Sequence, residues 1–317
     1  MRKTHGMKRL IDGILVLDKP RGLTSRDALN KAWKWLPRGT RIGHSGTLDP
    51  MATGILLACV GRATRLVEFL HELPKTYRAD ILFGAASTTD DADGDITPVP
   101  LPPDPGPVAF TDLLTRFTGD IMQVPSTISA VKVAGQRAYH LARKGREPDL
   151  PPRPVRIDRI ELLHLDWPRA TIRVDCGKGT YIRSIGRDLG TALGTAAYLT
   201  DLCRERVGDF TLADALPLDI PADRALNQLQ PLARAIQTMP RHEIGGEALL
   251  RLLQGQKPTR AQLADMGVDL PESPPGQLLA LLHGGRLKIL AHWRDGLLRP
   301  RKVFLGPGDQ NAPDDYD

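Results

Sequence analysis

Apolar residues in the first part of the chain follow two periods, and each period predicts one kind of element. Continuous apolar runs at 14–17 and 55–60 have the length of buried strands, and the alternation over 77–83 is typical of a half-buried strand. Thr24 and Ser25 offer an N-cap to a helix that the proline at 37 would end. Helical spacing predicts helices at 27–36, 63–70 and 108–117.

The second half of the chain predicts a strand pair, a helix and then a small β-rich region. The pair lies at 155–167 and 171–176, and the helix at 181–193. The composition changes near Pro240, and Gly-containing turns then separate short apolar segments, as in a small β-barrel. In this last region we predict a helix at 247–253 and strands at 277–282, 287–292 and 297–304.

Residues 121–154 do not follow either period clearly. They contain a candidate helix around 137–144, framed by prolines on both sides. Their many Arg and Lys residues fit either a solvated face or a flap that binds phosphates.

Length and charge narrow the class of protein. A chain of 317 residues buries a sizeable core and predicts one large domain with a smaller one. The net charge of +6 and the pI near 9.3 favour a polyanionic partner without naming it. The basic start of the chain is either a disordered tail or an arm that touches RNA.

The cysteines and the apolar runs exclude several other classes. Cys59, Cys176 and Cys203 are widely spaced and lack a C-x-x-C pair, so neither a disulfide scaffold nor a zinc site is expected. No apolar run approaches transmembrane length, and no secretory cleavage pattern follows the basic start. We therefore expect a cytoplasmic protein.

The segment 41–54 sets one carboxylate in a constrained loop. Pro50 disfavours the α region for Asp49, and three glycines around it permit unusual backbone paths or close approach of a ligand. The strand predicted at 55–60 follows at once, so Asp49 lies on a loop that feeds a rigid element. An Asx turn is the simpler explanation for Asp-Pro alone. The order of Gly, His, Thr and Asp in this segment favours a functional role.

The string His44-Ser-Gly-Thr-Leu-Asp-Pro50 resembles the catalytic motif of the TruB family, the pseudouridine synthases that act on tRNA uridine 55, and of their guide-RNA-dependent relatives. The segment 121–154 resembles the RNA-gripping insertion of the bacterial stand-alone enzymes, which favours that branch. The resemblance runs in order over about 10–215 and includes Gly13-Ile-Leu-Val-Leu-Asp-Lys-Pro20, Lys75-Thr-Tyr-Arg78, Thr89-Asp-Asp-Ala-Asp-Gly94 and Gly179-Thr-Tyr-Ile-Arg183.

This resemblance implies an α+β fold with a mixed, largely antiparallel sheet core and flanking helices. It also implies a small C-terminal β-barrel-like domain of the PUA-like type. The implied organisation is a basic tail at 1–12, a catalytic domain at 13–240 with the insertion at about 121–154, an RNA-binding domain at 241–305 and a disordered acidic tail at 306–317.

The implied activity is isomerisation of uridine to pseudouridine at position 55 of the tRNA T-loop. Asp49 matches the catalytic carboxylate, which serves as nucleophile or base without a cofactor. Arg183 matches its partner, and since burial raises a carboxyl pKa and a guanidinium lowers it, we expect Arg183 to orient Asp49 and keep it charged. Tyr77 matches a residue that stacks on the base and is implicated in proton transfer, although alternation equally gives it a packing role.

Further positions match residues that bind the target base or the RNA. His44 matches the residue that fills the space of the flipped base, with a structural histidine as the alternative. Tyr181 and Leu202 match the lining of the base pocket, although by sequence alone both are core residues. Lys19 matches a motif that braces the pocket. Asp91 either hydrogen-bonds RNA or belongs to a solvated turn.

Three functions compete. The first is this isomerase, with the T-arm of tRNA as partner, no cofactor or metal, no membrane, no obligatory protein partner, and a monomeric state. The acidic run 90–95 lacks the ligand order of an EF-hand. The second is an RNA-folding factor whose catalysis is secondary. The third is a hydrolase with Asp49 and Asp91 as paired carboxylates, which would need a defined separation.

Overall fold

A mixed sheet of nine strands frames the part of the molecule that the structure describes. The computed structural model describes residues 11–127, 132–133, 136–137, 150–271, 274 and 276–305. The strands are β1 (Gly13–Lys19), β2 (Ile42–Ser45), β3 (Thr53–Val60), β4 (Lys75–Phe83), β5 (Ala85–Ser87), β6 (Ile96–Pro98), β7 (Gly119–Gln123), β8 (Lys132–Val133), β9 (Gln136–Arg137), β10 (Arg153–Asp166), β11 (Arg169–Cys176), β12 (Ala197–Val207), β13 (Phe210–Thr211), β14 (Arg241–Glu243), β15 (Leu278–His283), β16 (Arg286–Arg294) and β17 (Leu297–Val303).

Short helices border the sheets. The α-helices are α1 (Ser25–Trp33), α2 (Val67–Glu72), α3 (Gly106–Thr115), α4 (Ile182–Ala192), α5 (Ala222–Leu226), α6 (Gly246–Leu253) and α7 (Arg260–Asp265). Three 3₁₀ segments lie at Gly61–Leu66, Leu212–Asp214 and Leu232–Ile236. Of the helices in the described ranges, none is long and apolar enough to cross a membrane.

Helix α1 begins where the sequence predicts a cap. The hydroxyl of Thr24 accepts from the backbone N–H of Asp27, and the Asp27 carboxylate accepts from the N–H of Thr24, which completes a capping box. The helix buries Ala28, Leu29 and Ala32. This cap fixes the start of α1 beside the loop that carries Asp49.

The main sheet has the strand order β1-β3-β12-β4-β11-β10-β7, with β2 on β3 and β13 on β12. Strand β3 carries β1 along one edge, antiparallel. Its other edge is shared, because β2 pairs with 57–60 and β12 pairs, in parallel, with 53–54. The loop from β2 to β3 therefore emerges over the sheet where the partner of β3 changes from β2 to β12.

The C-terminal strands form an open four-stranded sheet, in the order β14-β15-β16-β17. Helices α6 and α7 pack on it through a cluster that includes Leu252, Leu263 and Ile289. Leu290 of β16 instead joins a cluster of the main sheet, so the two sheets share packing. The mixed α+β architecture is confirmed, whereas closure of the C-terminal strands into a barrel is not seen in these described residues.

Most of the predicted elements are present, within a few residues of their predicted ends. The predicted helix at 63–70 is a 3₁₀ turn followed by α2. Strand β12, in the middle of the sheet, was not predicted. The predicted helix around 137–144 and the predicted tails at 1–10 and 306–317 lie outside the residues that the structure describes.

Candidate functional site

The loop that carries Asp49 is tied down on both sides of the carboxylate. On one side, the Ser25 hydroxyl donates to the carbonyl of Leu48 over 3.0 Å and accepts from its N–H over 2.8 Å. On the other, the carbonyl of Pro50 accepts from the N–H of Gly22 over 2.8 Å. Because the neighbours of Asp49 are both fixed, its side chain has a defined direction over the sheet.

Lys19 strengthens the same anchorage. Its side chain is fully buried, at 0 % exposure, and its Nζ donates to the carbonyls of Pro20, Leu23 and Pro50 at 3.0, 2.7 and 3.2 Å. Burial lowers the pKa of Lys19 to about 8, and Asp49 acts against that shift. Lys19 therefore anchors the loop that carries Asp49 and contributes positive charge near the Asp49 carboxylate.

Arg183, in the first turn of α4, meets Asp49. Its Nε lies 2.9 Å from Oδ2 of Asp49 and 3.5 Å from Oδ2 of Asp91. The guanidinium side chain is 3 % exposed and that of Asp91 is 5 % exposed, whereas 35 % of the Asp49 side chain is open. Of the two carboxylates, only that of Asp49 is accessible to a substrate.

Further hydrogen bonds fix the Arg183 side chain. Its Nη1 donates to the carbonyl of Thr89 over 2.8 Å and to the hydroxyl of Ser126 over 3.0 Å. Ser126 is fully buried and itself donates to the carbonyl of Thr89. Asp91 accepts from the hydroxyl of Thr89. These bonds join the acidic loop, the start of the segment 121–154 and α4 around one buried cation.

Opposing effects act on the pKa of the Asp49 carboxyl group. Burial raises the pKa of its carboxyl, and the like charge of Asp91 raises it further. Arg183 and Lys19 lower the pKa, but the net shift is upward from the ordinary value of 3.8. Arg183 thus opposes the shift, as the sequence suggests, without reversing it.

Tyr77, on β4, is half-buried and packs against the main core. Burial raises the pKa of its phenol, while the nearby positive charge of Arg204 lowers that pKa. Asp49 is close enough to raise it slightly. Tyr77 therefore has the packing role that its alternation predicts, and its part in the reaction stays a prediction.

Leu202 and Tyr181 complete the surroundings. Leu202 of β12 is 4 % exposed and lies opposite Ala79 of β4, next to Tyr77. Tyr181 precedes α4 and is half-buried; its backbone exchanges two hydrogen bonds with the side chain of Gln123, at 2.9 and 3.1 Å. Leu202 thus faces the strand that carries Tyr77, and Tyr181 lies two residues before Arg183.

His44, on β2, is half-buried, and burial lowers the pKa of its imidazole, with Arg204 adding to the effect. The ring is thus neutral at physiological pH. Its Nδ1 is buried and finds no hydrogen-bond partner among the described residues. A buried ring nitrogen of a structural histidine normally has a hydrogen-bond partner. The unpartnered Nδ1 therefore argues against a purely structural role for His44.

Two adjoining concavities lie beside His44 on the β2 and α1 side, with volumes of about 310 and 650 Å³. Trp33 and five arginines line them: Arg26, Arg38, Arg41, Arg62 and Arg65. We call this surface the arginine groove. Asp12 pairs with Arg62 and is the acidic residue in the lining. The groove suits a polyanion.

Comparison with known proteins decides the family. Residues 34–182 match the family described as TruB family pseudouridylate synthase (N terminal domain). The tRNA pseudouridine synthase B of Gluconacetobacter diazotrophicus is 41% identical over 96% of this chain and 100% of its own length. That of Cupriavidus metallidurans is 42% identical over 93% of this chain and 95% of its own.

The chain belongs to the TruB family of pseudouridylate synthases. It is therefore a pseudouridine synthase, an isomerase. A crystal structure of a Cbf5-Nop10-Gar1 complex contains a chain of similar fold, with a TM-score of 0.69 and 25% identity over 92% of this chain and 85% of that one. An H/ACA RNP bound to a substrate RNA containing 2′-deoxyuridine contains another, with a TM-score of 0.69 and 23% identity over 94% and 86%.

Sequence reasoning missed several residues of this TruB-family site. All three of Arg204, Ser126 and Gln123 are buried. Ser126 accepts from Arg183, Gln123 accepts from the N–H of Tyr181, and Arg204 donates to the carbonyl of Gly46 in the segment that carries Asp49. Pattern alone gives no signal for these residues. Among the described residues, no group of three or more His, Cys, Asp or Glu side chains is arranged to hold a metal ion.

Proposed function

We propose that this chain isomerises one uridine in the T-loop of tRNA, at position 55, to pseudouridine. The curated relatives carry the name tRNA pseudouridine synthase B, and the chain spans nearly their whole length. The observation that carries the proposal is the contact of Arg183 with Asp49, which joins a buried cation to a partly open carboxylate on an anchored loop.

The reaction sets clear demands on the site. The bond from the ribose C1′ to N1 breaks, the uracil turns, C1′ bonds to C5, and the proton on C5 leaves while N1 gains one. An ionised carboxylate assists as nucleophile or as base. Asp49 fits this task because part of its side chain is exposed to solvent. In addition, Arg183 and Lys19 favour the charged form of its carboxyl group.

Asp91 is a positioning residue and not a second catalytic carboxylate. It is buried, and it accepts from the Thr89 hydroxyl and from the N–H of Asp93 over 3.1 Å. A glycosidase needs both carboxyl groups at the substrate, on either side of the scissile bond. The paired-carboxylate hydrolase is therefore the weaker proposal.

In this proposal the target base packs against apolar side chains and lies near one polar group, the Tyr77 hydroxyl. Tyr77 supplies a ring and a hydroxyl, and Leu202 and Tyr181 supply the neighbouring apolar surface. Aromatic side chains stack on unpaired bases in many RNA sites. Tyr77 in this proposal stacks on the uracil with its hydroxyl near the reacting ring.

A uridine in a folded loop reaches Asp49 only after it leaves its stack, which costs a few kcal/mol. His44 occupies the vacated space with a neutral ring, and the arginine groove beside it receives the phosphates of the adjoining stem. Arg26, Arg38 and Arg41 are suited to this role because they form no salt bridge with the described residues.

The C-terminal sheet adds RNA-binding surface. In this proposal residues 13–240 form the catalytic domain and 241–305 a PUA-like RNA-binding domain. Binding of tRNA requires no protein partner, and the enzyme acts as a cytoplasmic monomer. The shared packing between the two sheets would keep their relative orientation fixed during catalysis.

Chemical mapping tests the proposal. An unmodified tRNA transcript is incubated with the enzyme, pseudouridine is tagged with a carbodiimide, and primer extension locates the tag. A single stop next to the T-loop uridine, absent when that uridine is replaced by cytidine, is expected. A tag at other uridines with none in the T-loop would overturn the assigned site.

A further inference from the structure

Helix α4 carries Arg183 in its first turn, yet its own residues do not cap it. Its N-cap residue is Tyr181, whose side chain makes no capping hydrogen bond. Ser184 stands at N3, where a capping box has a side chain that accepts from the N-cap N–H. The Ser184 hydroxyl is buried and finds no hydrogen-bond partner among the described residues. Helices α1 and α7, in contrast, each have a complete capping box. The start of α4 therefore depends on a group from another segment.

Gln123, at the end of β7, supplies that group. Its Oε1 accepts from the N–H of Tyr181 over 2.9 Å, and its Nε2 donates to the carbonyl of Tyr181 over 3.1 Å. The first of these bonds is the one that an N3 side chain makes in a capping box, here provided by a residue far away in sequence. The Gln123 amide thus fixes both backbone groups of the residue from which α4 starts.

The burial of Gln123 is unusual for an amide. The residue is 2 % exposed, whereas its neighbour Met122 is 64 % exposed. Since side chains alternate along a strand, Gln123 faces inward together with Ile121, which packs against the main core. An apolar residue would suit such a position, because a buried amide is costly unless it is hydrogen-bonded. A glutamine here points to a role for its two bonds with Tyr181.

Two further contacts continue this attachment along α4. The carbonyl of Val124 accepts from Nη2 of Arg187 over 2.8 Å, and the hydroxyl of Ser126 accepts from Nη1 of Arg183 over 3.0 Å. Ser126 is fully buried. We call residues 123–126 the clamp segment. The clamp segment therefore bonds to the cap of α4 and to two arginines in its first two turns.

We propose that the clamp segment positions Arg183 for its contact with the Asp49 carboxylate, with Gln123 and Ser126 as the positioning residues. Gln123 acts through the backbone of Tyr181, which lies two residues before Arg183. Ser126 acts on the guanidinium directly. The inference rests on the proposed function, in which the Asp49 carboxylate assists the reaction.

The charges around Asp49 give this proposal a readout besides the rate. Three charged groups face its carboxyl, namely Arg183 of α4, Asp91 of the acidic loop and Lys19 of β1. The phenol of Tyr77, on β4, is neutral because burial raises its pKa. Burial and the charge of Asp91 raise the pKa of the carboxyl, whereas Arg183 and Lys19 lower it. If the start of α4 shifts and Arg183 withdraws, the Asp49 carboxyl should titrate at a higher pH.

A double-mutant cycle tests whether Gln123 acts through Arg183. Gln123→Met keeps the length of the side chain but removes both hydrogen bonds to Tyr181, and it is compared in the wild-type and Arg183→Lys backgrounds by single-turnover rate. In the wild-type background we expect a rate lower by about 10-fold or more, without exceeding the loss caused by Arg183→Lys. In the Arg183→Lys background the same change should slow the reaction by less than about twofold, the ordinary error of additivity.

Gln237→Met is the matched control. Gln237 is half-buried and also accepts from a backbone N–H, that of Asp209 over 2.8 Å, on a segment outside α4. The control therefore loses a comparable bond and should show a comparable fall in Tm, while its single-turnover rate stays at that of the wild type. Equal slowing by Gln123→Met in both backgrounds, or a wild-type rate for Gln123→Met alone, would overturn the proposal.

The ¹³Cγ signal of Asp49 tests the proposal without RNA. The signal is assigned with Asp49→Asn, and it should titrate at a higher pH in Gln123→Met than in the wild type or in Gln237→Met. An unchanged titration would refute the positioning role. This measurement stands even if the wild type forms no pseudouridine, a result by which the proposed function alone would fail.

A second variant covers the case in which Gln123→Met does not fold. Ser126→Ala removes one acceptor of the Arg183 guanidinium and leaves the amide of Gln123 in place. It then replaces Gln123→Met in the cycle and in the titration, with a slower rate and a higher titration pH expected. A wild-type rate together with an unchanged titration would overturn the proposal.

Discussion

Nε of Arg183 forms an ion pair with Oδ2 of Asp49 at 2.9 Å, and this contact brings the first turn of α4 to the loop between β2 and β3. Arg183 is almost fully buried, whereas Asp49 keeps 35 % of its side chain open. A fixed cation therefore orients an accessible carboxylate. Preorganised charge of this kind is usually the largest single contribution of a protein to catalysis.

Arg183→Lys tests the geometry of this contact. Lysine keeps the positive charge that Asp49 and Asp91 require, so the variant should fold with little loss in Tm. It cannot donate along the same fork to Asp49, Thr89 and Ser126. We expect a single-turnover rate lower by about 100-fold or more.

The neighbouring Arg187→Lys is the control for the arginine series. Arg187 lies on the same helix, pairs with Asp90 and Asp188, and contacts neither Asp49 nor Asp91. It should retain activity. Near-wild-type turnover by Arg183→Lys would show that charge alone suffices at this position.

The pH dependence of the rate follows from the raised pKa of Asp49. In the proposed mechanism the ionised carboxylate is the active form, so the rate should fall as pH drops through that pKa, by about tenfold per pH unit below it. The acid limb should lie above the ordinary carboxyl value of 3.8. A single-turnover profile with saturating enzyme measures it, and an acid limb below 3.8 would show that Arg183 outweighs burial.

Asp49→Asn should stabilise the folded protein near neutral pH. A carboxyl with a raised pKa contributes stability that is present below its unfolded pKa and is lost as pH rises through the folded pKa. Asparagine resembles the protonated form and keeps that stability. Thermal unfolding at pH 8 should give a higher Tm for the variant, with the difference disappearing in acid.

The opposite result has a definite meaning. If Asp49→Asn unfolds at a lower temperature than the wild type at pH 8, the ion pair with Arg183 stabilises the fold more than burial of the charge destabilises it. Asp80→Asn, on a half-buried part of the sheet, keeps an oxygen that can accept from the Thr171 hydroxyl and provides the comparison for a carboxylate outside the site.

The arginine groove predicts a salt effect. Arg38 and Arg41 are exposed, and Arg41→Gln should weaken tRNA binding while leaving the rate at saturation unchanged. Each lost phosphate contact should reduce the slope of log K against log salt by about 0.9. Arg159→Gln removes an exposed arginine that pairs with Glu161 and should leave the slope as it is. An unchanged slope for Arg41→Gln would remove the groove from the binding surface.

The sequence predicts the parts of the fold whose physics is local. The run at 14–17, the cap at Thr24 and the alternation over 77–83 each correspond to an observed element. Burial on one face and hydrogen bonding at a helix end are written in neighbouring residues, and short segments are enough to see them.

Strand β12 shows where that reasoning fails. It lies in the middle of the sheet, yet Asp201, Arg204, Glu205 and Arg206 interrupt its apolar alternation. Arg204 is buried because Gly46 and Ile55, far away in sequence, accept its hydrogen bonds. A charged residue in a central strand is predictable only when its distant partners are known.

The sequence likewise identifies one part of the candidate site and misses another. Asp49, Tyr77 and Arg183 were found by resemblance to a family, and the fold brings all three close together. The role of Asp91 beside Arg183, the buried Ser126 and the arginine groove depend on tertiary contacts between separate segments. Motifs of a few residues carry no information about such contacts.

Release of tritium from C5 of uridine tests the central claim most directly. An unmodified tRNA transcript labelled at C5 is incubated with the wild type and with Asp49→Asn, since C5 exchanges its hydrogen for the glycosidic bond. We expect release by the wild type at the T-loop uridine and none by Asp49→Asn, although both bind the tRNA. Release by Asp49→Asn at the wild-type rate, or none by the wild type despite tight binding, would contradict it.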